Sequence, residues 1–215
     1  MDVIYEDEFL IVVDKPAGLP VLPEGWQKEA PYLVRLLDAE HPRIWVVHRL
    51  DKTTSGVILF AVTAEAHRHL SLQFETHRVE KRYHAILQGA PPWVEKTARR
   101  PLRVNVGRRH RTIIDDRKGV RAETHFKVLE CLPQHALVEA MPVTGKTHQI
   151  RVHAYALGYP VLGDTLYGTI KTDRINRPAL HSHSIKFQHP STGETLVFQA
   201  PYPPDFSEAL RRIRF

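Results

Sequence analysis

Apolar residues recur along this chain in two periods, and the switches between them mark its elements. Val3 to Tyr5 and Leu10 to Asp14 read as two short strands joined by the acidic turn Glu6-Asp7-Glu8, after which Lys15-Pro16-Ala17-Gly18-Leu19-Pro20 breaks regular structure. Pro31 opens a helix with Leu33, Leu36 and Leu37 at helical spacing, and Pro42 ends it. Ile44 to Val47 leads into a polar stretch. Val57 to Val62 is then an unbroken apolar run, the pattern of a fully buried strand. Thr63 can cap a helix from Ala64 to about Thr76, whose inner face is Ala66, Leu70 and Phe74. Glu80 to Gln88 alternates as a strand does.

From Gly89 to Gly119 the periodicity fades. Pro91-Pro92, a run of arginines and Asp115-Asp116 predict an exposed loop or extended hairpin. Strand patterning returns at Ala122 to Leu129, with Thr124, Phe126 and Val128 on one face, and again at Ala136 to Val143. Thr144-Gly145-Lys146-Thr147 turns into a helix through Leu157, closed by Gly158 at C′. That helix sets Thr147, His148, Arg151 and Tyr155 on a polar face and Ile150, Ala154 and Leu157 on an apolar one. Gly163-Asp164-x-x-Tyr167-Gly168 reads as a loop, Leu180 to Phe187 and Thr195 to Gln199 as late strands, and Arg211, Arg212 and Arg214 as a basic tail. There is no internal repeat and no low-complexity linker, so 1–215 reads as one domain with a basic excursion at about 90–121. The fold class is α+β: a mixed, mainly antiparallel sheet with flanking helices and loops.

Composition narrows the class. With 42% hydrophobic and 25% charged residues the chain can build a core, and disorder throughout is excluded. A single cysteine, Cys131, forbids an internal disulfide. The acidic N-terminus lacks the features of a signal peptide, and no run reaches the length of a membrane helix, which together predict a cytoplasmic protein. The charge is unevenly spread. Between Lys96 and Lys127 eleven Lys or Arg face Asp115, Asp116 and Glu123, a local +8 in a chain whose total is +6. A basic stripe on a near-neutral body points to a polyanion partner.

The polar stretch before the buried strand carries the chemistry. His48-Arg49-Leu50-Asp51-Lys52-Thr53-Thr54-Ser55-Gly56 sets one carboxylate between two cations, with hydroxyls and a permissive glycine to shape a tight turn. A protein-kinase loop is excluded, because Leu50 interrupts His-Arg-Asp, no Asn follows at the required offset and Asp-Phe-Gly is missing. Gly145-Lys146-Thr147 imitates a phosphate-binding loop. The glycine needed five residues earlier is Ala140, and Pro142 removes a backbone donor, so that reading falls too. Fourteen histidines offer no ligand spacing: His181 and His183 alternate on a strand, and His148 and His153 are five apart.

His-Arg-Leu-Asp-x-x-Thr-Ser-Gly followed by an apolar strand resembles the catalytic motif of the RluA-type RNA pseudouridine synthases. Lys81-Arg82-Tyr83-His84-Ala85 resembles that family's second motif, Gly145 to His153 its third, and Lys15-Pro16-x-Gly18 the start of its catalytic domain. The resemblance covers about Val3 to Ala200. It implies Asp51 as the nucleophile that isomerises uridine, Tyr83 as the aromatic that stacks on the base and takes part in proton transfer, and Arg151 as the ion-pair partner of Asp51. The cleft is then expected between the Asp51 loop, the Tyr83 strand and the Arg151 helix. Attack at C6, attack at C1′ and assistance to glycal formation all remain compatible with these residues.

Arg49, Lys81, Lys146 and His148 are candidate RNA contacts, with Arg108, Arg109 and Arg111 from the basic segment. The implied partner is structured RNA, ribosomal or transfer, engaged by a monomer with no protein partner and no membrane. Isomerisation by a side-chain nucleophile implies no cofactor and no metal. Two departures from the family stand out. The 47 residues before His48 leave no room for the N-terminal S4 domain of many relatives, and the segment from Arg99 to Arg121 matches no familiar motif. Two rival readings exist: a non-catalytic RNA binder on the same fold, which would not need Asp51, Tyr83 and Arg151 together, and an Asp-dependent N-glycosidase, which would release free uracil.

Overall fold

The computed structural model describes residues 1–23, 25, 30–39, 41, 43–168 and 172–214. Strands β1 (Asp2–Glu6) and β2 (Leu10–Lys15) pair antiparallel across the expected acidic turn. Asp7 closes that turn by accepting the backbone N–H groups of Phe9 and Leu10 at 2.8 and 3.0 Å. Helix α1 (Leu33–Asp38) starts two residues after Pro31 and buries Leu33, Val34 and Leu37. Leu36, though at helical spacing with them, is exposed, because it lies about 100° from the stripe centred on Leu37. Pro42, the expected helix stop, falls outside the described residues. Strand β3 (Trp45–Val46) pairs with β4 (Ser55–Ala61), and all seven residues of β4 are buried, as the apolar run predicts. In α2 (Ala64–Glu75) the Thr63 hydroxyl accepts the Ala66 N–H at 3.1 Å, and Ala66, Leu70 and Gln73 are buried.

The second half adds β5 (Glu80–Gln88), β6 (Glu95–Arg99), β7 (Leu102–Val106), β8 (Arg111–Ile114), β9 (Glu123–Cys131) and β10 (His135–Pro142). Helix α3 (Gln149–Ala156), strands β11 (Leu180–Gln188) and β12 (Thr195–Gln199), and helix α4 (Pro204–Arg214) complete the chain. Three expectations change. The segment after Gly89 contains not only a hairpin, β7–β8, but also β6, which pairs antiparallel with β9. Only Ala98 of β6 is buried, so the strand leaves almost no alternation to read. Helix α3 begins at Gln149 rather than Thr147, and every residue from Gln149 to Ala154 is buried, so the division into polar and apolar faces fails. The basic tail is in fact the last turn of an amphipathic helix. Phe206, Ala209, Leu210 and Ile213 recur at three- and four-residue spacing and are buried, while Arg211 and Arg212 pair with Glu208 and Arg214 with Glu130.

The backbone divides into two compact units. One comprises Met1–Lys81 and Ser182–Pro201, the other Arg82–His181 and Tyr202–Phe215. In the first, strands run in the order β1-β2-β4-β11, with β3 on β4 and β12 on β11. Leu10, Val12, Val57, Leu59, Leu70 and Phe187 lie at the centre of its core. In the second, the order is β5-β10-β9-β6, each pair antiparallel, with the β7–β8 hairpin forming a separate ribbon. Among the described residues no helix is long and apolar enough to cross a membrane.

Candidate active site

In the first unit Asp51 lies, half-buried, on the loop that enters β4. The Thr54 N–H donates to the Asp51 carbonyl oxygen at 3.0 Å, which closes the turn, and the hydroxyl residues Thr54 and Ser55 are buried behind it. Lys15 anchors this loop from below. Its side chain is fully buried, and the ammonium donates to the carbonyl oxygens of Pro16, Leu19 and Lys52 at 2.9, 2.8 and 3.1 Å. The Gly18 N–H adds a bond to the Lys52 oxygen at 2.8 Å. A buried cation must be wrapped in oxygens. Here those oxygens belong to residues 16–19 and to the neighbour of Asp51, so Lys-Pro-x-Gly sets the shape of the acid's loop. Arg49 is exposed beside it.

His48, which opens the motif, is scaffold. Its Nε2 accepts the Leu59 N–H at 3.0 Å, which leaves the proton on Nδ1, and its ring stacks on Phe74 with centroids 4.6 Å apart. Burial, and then the Lys81 ammonium, push its pKa down to about 3. Burial likewise pushes Lys81 down to about 8, with its ammonium 5.9 Å from the Phe74 ring centroid. A consequence for acid stability follows. An unfolded His48 takes a proton below about pH 6.5, the folded one only near 3, so the unfolded state binds more protons between the two values. Stability should fall as pH drops through that window, and by pH 5 this group alone should cost about 2 kcal/mol. Urea unfolding at pH 7 and pH 5 should show His48→Gln losing that much less than the native chain. Equal losses would remove His48 from the account.

The remaining motif residues lie in the second unit. Tyr83 is buried on β5, opposite Ala140 of β10. Gln149 organises the loop before α3. Its amide donates to the Glu123 carbonyl and the Thr124 hydroxyl at 2.9 and 3.0 Å, and its oxygen accepts from the Thr144 hydroxyl and the Lys146 N–H at 2.7 and 3.1 Å. The Lys146 N–H is therefore spent internally rather than offered to a phosphate. His148 stands at the N-cap of α3 with a left-handed φ of 55°. Its Nδ1 lies 3.0 Å from the Tyr167 hydroxyl. His153 is fully buried; its Nε2–H donates to the Arg100 carbonyl at 3.1 Å and its Nδ1 meets the Thr124 hydroxyl at 2.9 Å. Burial lowers its pKa.

Arg151, expected on a polar face of α3, is buried. Its Nε and Nη2 donate to the two carboxylate oxygens of Asp164 at 2.6 and 2.8 Å, both side chains being buried. Its guanidinium carbon lies 5.2 Å from the centroid of the Tyr167 ring. The sequence marks Asp164 and Tyr167 only as loop, although Gly-Asp-x-x-Tyr-Gly is the pattern of a constrained turn. Gly163 has φ +76°, and a Cβ there would run into the Arg177 carbonyl oxygen.

The basic segment resolves into paired and unpaired charge. Arg99 and Arg121 converge on Glu123, Arg100 pairs with Asp116, Arg103 with Asp115 and Lys127 with Glu95. Arg108 and Arg109 are exposed in the turn between β7 and β8, and Arg111 opens β8 half-buried. Among the described residues none of these three has an ion-pair partner. Through Thr112, the hairpin reaches the third motif: its hydroxyl donates to the Thr147 carbonyl at 2.8 Å. The structure thus brings Arg111, Lys146, His148 and Arg151 into one neighbourhood of the second unit. Arg49, Asp51 and Lys81 belong to the first.

Among the described residues no cluster of three His, Cys, Asp or Glu could hold a metal ion. A family described as RNA pseudouridylate synthase matches residues 9–156. An RNA pseudouridine synthase of Bacillus subtilis (strain 168) named YlyB is 37% identical over 225 residues, covering 100% of this chain and 73% of that protein. Ribosomal large subunit pseudouridine synthase D of Zymomonas mobilis is 35% identical over 222 residues, covering 95% of this chain and 70% of the relative. Of solved structures, human RNA pseudouridylate synthase domain containing 4 matches with a TM-score of 0.81 at 26% identity, covering 99% of this chain and 92% of that one. Human RNA pseudouridylate synthase domain containing 1 matches at 0.78 and 30%, covering 94% and 83%. Likeness of this extent, in sequence from end to end and in fold, settles the question that the motif around Asp51 raised: the chain belongs to the RluA-type RNA pseudouridine synthases, enzymes that isomerise uridine in RNA.

Proposed function

We propose that this chain isomerises a specific uridine in ribosomal RNA, with Asp51 as nucleophile, Tyr83 as stacking aromatic and proton-transfer group, and Arg151 as the ion-pair partner of Asp51. The observation that carries the reading is the Asp51 loop, a half-buried carboxylate on a turn held by Lys15, Gly18 and Thr54. A flexible surface Asp needs no such support. A nucleophile does, because catalysis depends on a near-attack geometry. The choice of ribosomal over transfer RNA follows the names of relatives in Zymomonas and Pseudomonas. In the reaction the N1–C1′ bond breaks, a C5–C1′ bond forms, C5 loses its proton and N1 gains one, so no electrons are exchanged and no cofactor is required. The uridine must leave its stack, at a cost of a few kcal/mol.

Mapping pseudouridines in large-subunit ribosomal and transfer RNA from cells with and without the gene tests this reading. One ribosomal position should lose its modification and regain it when the gene returns. Free uracil as product would favour the glycosidase instead, and an unchanged map would sink the proposal. Tyr83 keeps 8% of its surface exposed, so its two roles need separating. Tyr83→Phe keeps the ring and deletes the hydroxyl. Turnover should fall by about 10²-fold or more, the usual worth of a proton-transfer group, with RNA affinity nearly unchanged. A native rate would leave stacking as the residue's whole contribution.

A further inference from the structure

We propose that the turn Gly163–Gly168 is a positioning element of the reaction: Asp164 fixes the direction of the Arg151 guanidinium, and Tyr167 fastens the basic β7–β8 hairpin to the same turn. The inference rests on the reading that Arg151 takes part in pseudouridine formation. A single-point contact would leave an arginine free to rotate about its last torsions. Two parallel bonds through Nε and Nη2, at 2.6 and 2.8 Å, fix the guanidinium plane and aim the Nη1 end away from Asp164. The carboxylate is itself held. It accepts the Leu166 and Tyr167 N–H groups at 3.1 and 3.3 Å, and the turn closes through the Gly168 N–H on the Asp164 carbonyl at 2.7 Å. The Tyr167 ring lies against the guanidinium.

Burying such a pair is a poor way to gain stability, because an apolar pair of similar volume serves as well or better. Its worth lies in orientation. The Tyr167 hydroxyl then extends the arrangement outward. It accepts the buried Thr112 N–H at 2.8 Å and lies 3.0 Å from His148 Nδ1, while Thr112 bonds Thr147. Thr112 follows Arg111, so the strand that presents cations to RNA is registered against the turn that aims Arg151.

The test uses three variants of the full chain, Asp164→Asn, Tyr167→Phe and Arg151→Lys, each measured for single-turnover rate at saturating RNA, RNA affinity and thermal unfolding. Asp164→Asn should lose about 100-fold in rate, the effect of an ångström-scale misplacement, with affinity within about threefold. Tyr167→Phe keeps the ring and the ion pair and should lose about tenfold, the worth of one hydrogen bond. A merely structural turn would lower the unfolding temperature and leave both rates, taken well below it, at the native level. That outcome overturns the proposal. If Asp164→Asn does not fold, Tyr167→Phe decides alone, and a native rate in it is equally fatal. Arg151→Lys separates the two layers. If it is inactive beside native Asp164→Asn and Tyr167→Phe, only positioning fails; if it is itself fully active, the assignment of Arg151 fails with it.

Discussion

Asp51→Asn should bind RNA like the native chain and form no pseudouridine, a loss on the order of 10⁴-fold or more, as when other enzymes lose a nucleophile. The substitution preserves size and most hydrogen-bonding capacity while removing the charge that attacks. It also leaves the bonds to the loop's carbonyl oxygens in place. The bond from the Thr54 N–H to the Asp51 carbonyl, and those from the Lys15 ammonium and the Gly18 N–H to the Lys52 carbonyl, do not use the carboxylate. Thermal unfolding and RNA affinity check directly that the loop survives the substitution. The same variant separates the rival readings. A non-catalytic binder would be indifferent to it by every assay. A glycosidase would lose uracil release and never have made pseudouridine. Turnover by pure Asp51→Asn protein within a factor of ten of native would place the nucleophile elsewhere.

What is legible in the sequence, and what is not, divides along a physical line. Elements whose burial is one-sided or complete announce themselves. Val57 to Val62 reads as an apolar run, the strand found there (Ser55–Ala61) is buried throughout, and Thr63 caps α2 with the bond expected of it. Glu80–Gln88 has the predicted bounds. Elements that bury polar side chains do not. Helix α3 reads as two-faced because Arg151 and its neighbours Gln149 and His153 are polar, yet each is buried against a partner 13 to 53 residues away in sequence. No period reports such a partner. The tasks of Asp164 and Lys15 escape notice for the same reason. One reads as a loop acid and the other as a strand-end lysine until the guanidinium and the three carbonyls that surround them are seen. Helix α4 hides behind its arginines, whose glutamate partners lie in its preceding turn and on β9. The motifs name the chemistry; the bonds that aim it are long-range and have to be observed.

Replacing Arg108, Arg109 and Arg111 by Ala should lower RNA affinity by a similar factor on unrelated RNA sequences and flatten its dependence on salt. Each phosphate neutralised releases counterions and contributes roughly 0.7 to 0.9 to the slope of log K against log salt, so removing three such cations should flatten it by roughly 2 to 3. The structure sets these three apart from the paired arginines of the segment. Arg99, Arg100, Arg103 and Arg121 are already answered by Glu123, Asp116 and Asp115, whereas the hairpin turn presents cations with no ion-pair partner among the described residues. Arg100→Ala therefore serves as the internal control: it removes one unit of formal charge from the same segment, but one that Asp116 neutralises at 3.2 Å, and should change the slope much less. The single-turnover rate at saturating RNA should fall far less than affinity in the triple variant, because the Thr112 bonds to Thr147 and Tyr167 remain and the hairpin keeps its place. A salt titration of native chain, control and triple variant on one RNA, repeated on an unrelated one, carries the decision. Should the triple variant and Arg100→Ala give the same slope, the hairpin tip would be a solvated loop, and the phosphate contacts would have to come from residues such as Arg49, Lys146 and His148.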